Sequence, residues 1–236
     1  MGLIRINGKH IGLTQETEKV YERVSLMDCL KGLYLCGGTA QSLQMGHRLS
    51  EDLDFELIGT RKDRPKLDFH SIITELKEKF DDARIEILGD EQFLAYISEG
   101  KVKLSFFRPE NPVPSINIGY TFNNINAPTL QDLLGMKVFT TGVRSEARDY
   151  YDIYCLVEAG CELEPAVKYA GYFSRYKQKS KDIYTRLLTP QLYNFNEDFY
   201  RMQPKYKVTP EQIRDRIQEQ LVKENNKEKK DLTPKI

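Results

Sequence analysis

Four residues, Leu33-Tyr34-Leu35-Cys36, run directly into a glycine pair, Gly37-Gly38, and this junction constrains the chain more than any other stretch. An apolar run that stops at Gly-Gly reads as a buried strand entering a tight turn. Thr39 then opens a short helical stretch, Ala40 to Met45. Glycines between a strand and a helix let backbone N–H groups approach a phosphate, and the helix N-terminus favours its negative charge.

The acid follows shortly after. Beyond Gly46-His47-Arg48 comes Ser50-Glu51-Asp52-Leu53-Asp54-Phe55-Glu56-Leu57, and Asp52 to Ile58 reads as a second strand. Alternate strand residues share a face, so Asp52 and Asp54 point one way while Leu53, Phe55 and Leu57 point into a core. Two carboxylates on one face can hold a hard divalent cation such as Mg²⁺ or Mn²⁺ through oxygen. Two such ions, roughly 3.5–4 Å apart, would clamp the attacking and leaving oxygens of a phosphoryl displacement. A phosphate-cradling turn followed by a paired-carboxylate strand is an arrangement for nucleotidyl transfer. Either half alone would suggest only a turn or a solvated acidic strand end.

Taken together, Gly37-Gly38-Thr39-Ala40, Gly46-His47-Arg48, Ser50 and Asp52-Leu53-Asp54-Phe55 resemble the AbiEii/AbiGii toxin family of nucleotidyltransferases, within the DNA polymerase β-like superfamily. A second string is similar to the same family. Leu133-Leu134-Gly135-Met136-Lys137 resembles its lysine helix, and the string from Arg144 to Leu156, containing Arg148-Asp149-Tyr150-Tyr151-Asp152-Ile153-Tyr154, its Arg-Asp helix. The resemblance spans roughly residues 30 to 157. It implies an α+β fold, a polymerase β-like mixed sheet flanked by helices, followed by a C-terminal helical bundle. It also implies a metal-dependent enzyme that moves NMP from an NTP to an RNA acceptor such as tRNA. The family suggests the toxin of a bacterial toxin–antitoxin pair, with a separately encoded antitoxin protein as partner.

The same resemblance assigns roles. Gly37, Gly38 and Thr39, with Arg48 and Ser50, would hold phosphate, and Asp52 and Asp54 would bind metal. Lys137 would contact triphosphate oxygens. Asp149 would lie at the active site as base or positioner, and Asp152 would orient its neighbours. Asp149 and Asp152, three apart on a helix, share a face. Without the resemblance, Lys137, Arg148, Asp149 and Asp152 could equally form ordinary inter-helix ion pairs.

One departure stands out. Superfamily members place a third metal-binding carboxylate on a strand after the Asp-x-Asp pair, and the strand expected there, Lys101 to Phe107, carries none. Ser105 takes the position where an acid would be expected. Three options stay open: a single-metal site, an acid from elsewhere, or a weakened enzyme. The rival function is therefore a nucleotide- or RNA-binding module of the same fold that has lost chemistry.

Around these motifs the chain divides in two. Gln15 to Lys31 carries Val20, Val24, Met27 and Leu30 at helical spacing, with Gly32 as its stop. Asp68 caps a helix through Ile72, Ile73, Leu76 and Phe80. Strands are expected at Arg84–Leu88, Gln92–Ile97 and Lys101–Phe107, with turns at Gly89-Asp90 and Glu99-Gly100. Three prolines between Pro109 and Pro114 exclude a helix there, and Arg61 to Lys66 is a charged loop. After Ile116 to Ile118, the polar stretch Asn123 to Pro128 reads as a hinge or domain boundary. This places a nucleotidyltransferase α/β domain at 1–127 and a helical bundle completing the active site at 128–222, ending in a helix over 209–222. A polar tail at 223–236 reads as disordered. Tyr172 to Lys181 interleaves aromatics with bases, which suits a nucleic-acid strand or merely a solvated helix face.

Charge and hydropathy exclude less than the motifs imply. Lys plus Arg equals Asp plus Glu at 35 each, so global charge announces no nucleic-acid partner. No stretch approaches the ~18 apolar residues of a membrane span. The N-terminus lacks the apolar segment of a secretory signal and fits a myristoylation pattern poorly. Cys29, Cys36, Cys155 and Cys161 form no Cys-x-x-Cys pair and read as reduced thiols of a cytoplasmic protein. His10, His47 and His70 are too scattered for a zinc site, and His47 reads as a packing or hydrogen-bonding residue.

Overall fold

The strand alternation of Leu33–Cys36 and Leu53–Leu57 organises a mixed sheet, because each carries apolar residues on one face and polar ones on the other. The computed structural model describes residues 5–6, 9–58, 65–109, 116–173 and 178–231. Two units divide the chain, Met1–Thr129 and Leu130–Ile236. The first runs β1 (Arg5–Ile6), β2 (Lys9–His10), α1 (Gln15–Val24), a 3-10 turn (Asp28–Leu30), β3 (Leu33–Cys36), α2 (Gly37–Met45) and β4 (Leu53–Leu57). It continues with α3 (Phe69–Lys79), β5 (Arg84–Gly89), β6 (Gln92–Ile97), β7 (Val102–Phe107), β8 (Ile118–Phe122) and β9 (Ile125–Pro128).

Seven strands order as β5-β6-β7-β4-β3-β9-β8. β3 is antiparallel to β4 and parallel to β9, and β4 is parallel to β7, so the sheet is mixed. Leu35 and Leu53 are fully buried and Phe55 nearly so, on the face that also carries Phe93, Leu104 and Phe106. Phe106 stacks between Phe55 and Phe93, with ring centroids 5.1 and 4.9 Å away. Each such side chain removed from water contributes about 1.5–3 kcal/mol. The α+β class expected from the sequence is the one observed.

Two expected elements end differently. The first helix stops at Val24, not Lys31: Ser25 caps it, its hydroxyl donating to Glu22 O at 2.7 Å. Met27 and Leu30 are buried from a turn whose Asp28 and Cys29 N–H groups donate to the Glu75 carboxylate at 2.9 and 3.0 Å. Helical spacing of apolar residues thus persists past the helix itself. The Asn123–Pro128 stretch is a hairpin turn leading into β9, and the boundary between the two units falls just after it, at Thr129–Leu130. Asn123 adopts a φ of 50°, and Asn124 N donates to Ser25 O at 2.9 Å. Ile125 and Ala127 of β9 are buried beside β3. A two-residue Asn-Asn connection between short alternating strands is turn chemistry.

The second unit consists, among the described residues, of α4 (Leu130–Thr140), α5 (Ala147–Glu158), α6 (Leu163–Phe173), α7 (Ser180–Leu187), a 3-10 turn (Pro190–Leu192), α8 (Glu197–Arg201) and α9 (Pro210–Asp231). Thr209 opens α9 as a reciprocal cap, its hydroxyl accepting from Gln212 N at 3.3 Å while Thr209 N donates to Gln212 Oε1 at 2.8 Å. Ile213 and Ile217 are fully buried. The helix then continues past Val222 through Asp231, over the first part of the tail that the sequence suggested as disordered; residues 232–236 lie outside the described residues. The reason is Glu224: buried, it accepts from the N–H groups of Leu163 and Glu164, both at 2.8 Å, and caps the start of α6. The Arg61–Arg64 part of the charged loop, Glu110–Ser115 of the proline-rich run and Ser174–Lys177 of the aromatic–basic stretch lie outside the described residues. No helix among the described residues is long and apolar enough to cross a membrane.

Candidate active site

In the sheet unit, β3 delivers the chain to Gly37 at a φ of 67°, a left-handed conformation that side-chain-bearing residues rarely adopt. Space matters as much as conformation. A Cβ at Gly37 would lie 2.9 Å from Asp54 Oδ2, and one at Gly38 only 2.0 Å from Arg48 Nη2. The glycine pair therefore admits a carboxylate and a guanidinium against the first turn of α2.

Thr39 and Ser50 are turned inward. Their hydroxyls are 2.8 Å apart, and the Thr39 hydroxyl also donates to Asp52 O. Ser50 N donates to Gly12 O at 2.9 Å, and Arg48, buried, donates from Nη1 to Leu49 O at 2.9 Å. These contacts tie the loop before β4 to α2 and so fix where the acidic strand begins. His47 is buried in the same loop, in keeping with a packing role.

On β4, Asp54 lies opposite Cys36 of β3 and Ser105 of β7. Asp52 accepts from Lys103 Nζ at 2.8 Å, both side chains being partly exposed. Asp54 on β4 and Asp52 immediately before it are hard oxygen donors, with Leu53 and Phe55 buried, and so fit a divalent cation as a carboxylate pair. Among the described residues no group of three or more His, Cys, Asp or Glu side chains is arranged around a metal position. The strand expected to supply a third acid presents Lys103 and Ser105 instead.

Glu56 is a residue the sequence reading gave no role. Burial raises its carboxyl to about 7; Cys36 opposes the shift and Asp54 adds to it. Burial likewise pushes the Cys36 thiol well up, with Glu56 adding to it. The signal was available, since Asp52, Asp54 and Glu56 continue one period-two series.

In the helical unit, Lys137 of α4 donates to Asp149 Oδ1 at 2.8 Å and lies 2.7 Å from Asp152 Oδ2, both on α5. Arg144 grips Asp149 with two nitrogens, Nε to Oδ2 at 2.8 Å and Nη2 to Oδ1 at 3.2 Å. Both carboxylates are inaccessible and Lys137 is 5% exposed, while the Arg144 side chain is 43% exposed. Burial alone would raise the Asp149 carboxyl, but Lys137 and Arg144 outweigh it and hold it below the usual carboxylate range. The inter-helix ion pairs that the sequence allowed are thus present, although Arg148 pairs with Glu146 at 3.1 Å. Arg144, five residues before Asp149, was the unassigned partner.

The sequence model of a family described as nucleotidyl transferase AbiEii toxin, Type IV TA system, matches residues 21–232. An uncharacterised protein of Aquifex aeolicus (strain VF5) is 26% identical over 220 residues, covering 89% of this chain and 98% of its own. Among solved structures, JHP933 from Helicobacter pylori aligns with a TM-score of 0.54 at 17% identity, covering 93% of this chain and 97% of that one. The nucleotidyltransferase toxin MenT4 from Mycobacterium tuberculosis H37Rv aligns with a TM-score of 0.50 at 14% identity, covering 86% and 84%. At such identities the solved structures establish the fold.

Proposed function

Because the chain belongs to the AbiEii nucleotidyltransferase toxin family, we propose that its reaction is metal-dependent transfer of NMP from an NTP to an RNA acceptor such as tRNA. Family membership itself makes it a nucleotidyltransferase and implies an NTP substrate and an antitoxin. The acceptor, the metal and a cytoplasmic setting, where NTPs and RNA are at hand, are our reading. The observation that carries it is the acid pair of Asp54 on β4 and Asp52 immediately before it, with Asp54 Oδ2 lying 2.9 Å from where a Gly37 Cβ would stand.

In this reading Asp52 and Asp54 bind Mg²⁺ or Mn²⁺. When bound, the ion supplies Lewis-acid stabilisation of phosphoryl oxygens. Gly37 and Gly38 offer close backbone approach to phosphate at the start of α2. Thr39, Arg48 and Ser50 serve that phosphate site by holding its loop in place, given their burial and mutual bonds. Lys137 neutralises charge on the triphosphate. Asp149 is the positioner among the two roles considered for it, because a carboxylate with no exposure and two cationic partners is poorly placed to take a proton. Asp152 holds the same ammonium at 2.7 Å.

The test supplies purified protein with each labelled NTP, Mg²⁺ or Mn²⁺, and total RNA. Wild type is expected to label RNA, and Asp52→Asn and Asp54→Asn to lose at least 10²-fold of that rate, the scale of removing a transition-state charge partner. NTP binding without labelling under either metal would instead support the binding module.

A further inference from the structure

We infer that Lys103 is a built-in cation of the carboxylate pair, so that Asp52 and Asp54 take one divalent ion per chain rather than two. The inference rests on the metal-dependent reading above and deepens it. Its basis is placement. The β4–β7 register sets Leu53 beside Leu104 and Asp54 beside Ser105, which brings Lys103 alongside Asp52. Lys103 Nζ lies 2.8 Å from Asp52 Oδ2, with 37% and 35% of the two side chains accessible, so the contact sits where a ligand can reach it.

A third acid on this strand would give the face three negative charges, enough to draw two dications beside a polyphosphate. Here β7 contributes an ammonium instead, which leaves one net negative charge among Asp52, Asp54 and Lys103. Glu56, the next acid on that face, is buried beside Cys36. An ammonium at hydrogen-bond distance occupies one carboxylate oxygen and repels a second dication at close range. It is also a compact charge with three donors, able to meet a phosphate oxygen without any metal. One dication plus one lysine supplies three positive charges where two dications would supply four. An exposed ion pair adds little to stability, so the contact is better explained by the site than by the fold.

The test is a Mn²⁺ titration of the full chain without nucleotide, reading free Mn²⁺ by electron paramagnetic resonance. The variants are Lys103→Met, Lys103→Gln, Lys103→Arg and Asp54→Asn. Wild type and Lys103→Arg are expected to bind one Mn²⁺. Both neutral variants are expected to bind it about tenfold more tightly, as befits removal of a like charge at contact range, and to admit a second ion. Neutral variants that keep the wild-type isotherm, while Asp54→Asn weakens it, would overturn the role of Lys103 alone. An isotherm that Asp54→Asn also leaves unchanged would overturn the metal site itself.

Discussion

Each unit carries acids held by a lysine, but burial sets the two clusters apart. In the sheet unit Lys103 meets Asp52 with both side chains more than a third exposed. In the helical unit Lys137 meets Asp149 and Asp152 with both carboxylates inaccessible. The same pairing chemistry therefore has different consequences. At the surface an ion pair is weak, screened and readily rearranged around a ligand. In the interior the charges cannot be separated without leaving one unpaired and unsolvated, so the cluster fixes geometry. The sheet cluster is suited to exchange ligands, and the helical cluster to hold Lys137 and Arg144 in place.

The largest effect should come from breaking the buried cluster. Lys137→Met leaves two carboxylates on α5 with Arg144 as the remaining cation on Asp149. Urea denaturation should show a loss of about 3–5 kcal/mol, the scale of removing one partner from a buried pair. Removing the acid as well, in Lys137→Met/Asp152→Leu, should recover part of that loss. Wild-type stability in Lys137→Met, with only NTP affinity reduced, would erase the contrast and make Lys137 a ligand group alone.

Glu56 allows a finer test because it is a buried acid within the sheet cluster's own strand. Its folded carboxyl is raised to about 7, above the ordinary value of about 4.3. A raised folded value favours the protonated form. The stability it contributes is complete below about pH 4.3, falls as pH rises, and is gone above about pH 7. Glu56→Gln removes that dependence. In chelator, thermal unfolding should find the variant close to wild type at pH 5 and more stable by on the order of 2–3 kcal/mol at pH 8. Parallel curves for the two proteins would place Glu56 in water, with Asp52, rather than in the interior.

These residues also show what could be read from the chain. The strand-to-helix junction at Gly37-Gly38 and the strands up to Phe107 were legible because each depends on local chemistry: glycine freedom, period-two alternation and turn residues. Asp68 was legible as a cap for the same reason, accepting from Ser71 N at 3.1 Å. The rest depends on partners distant in sequence. Glu75 caps the Asp28 turn from 47 residues away, and Glu224 caps α6 from 61 residues away. Nothing near either acid marks it as a cap. Lys103 carries no mark of its role in the sequence either, because its partner Asp52 lies 51 residues earlier. Arg144 was legible only as part of a string, since its role exists once α5 is folded and Asp149 is buried.

The smallest expected effect sharpens the comparison from its exposed side. Lys103→Met removes an ion pair whose two members keep more than a third of their side-chain surface in water. Solvent screens such a pair, and ordering a long lysine side chain offsets part of the attraction. Its loss should shift urea-unfolding stability by no more than about 1 kcal/mol, and added salt should shrink even that difference. A loss as large as that of Lys137→Met would mean that Asp52 is held as rigidly as Asp149. The acidic face of β4 would then be a second scaffold, and ligand exchange at Asp52 would require the pair to break first. A small, salt-sensitive change leaves Asp52 free to trade its lysine for a ligand, which is the property that separates the two clusters.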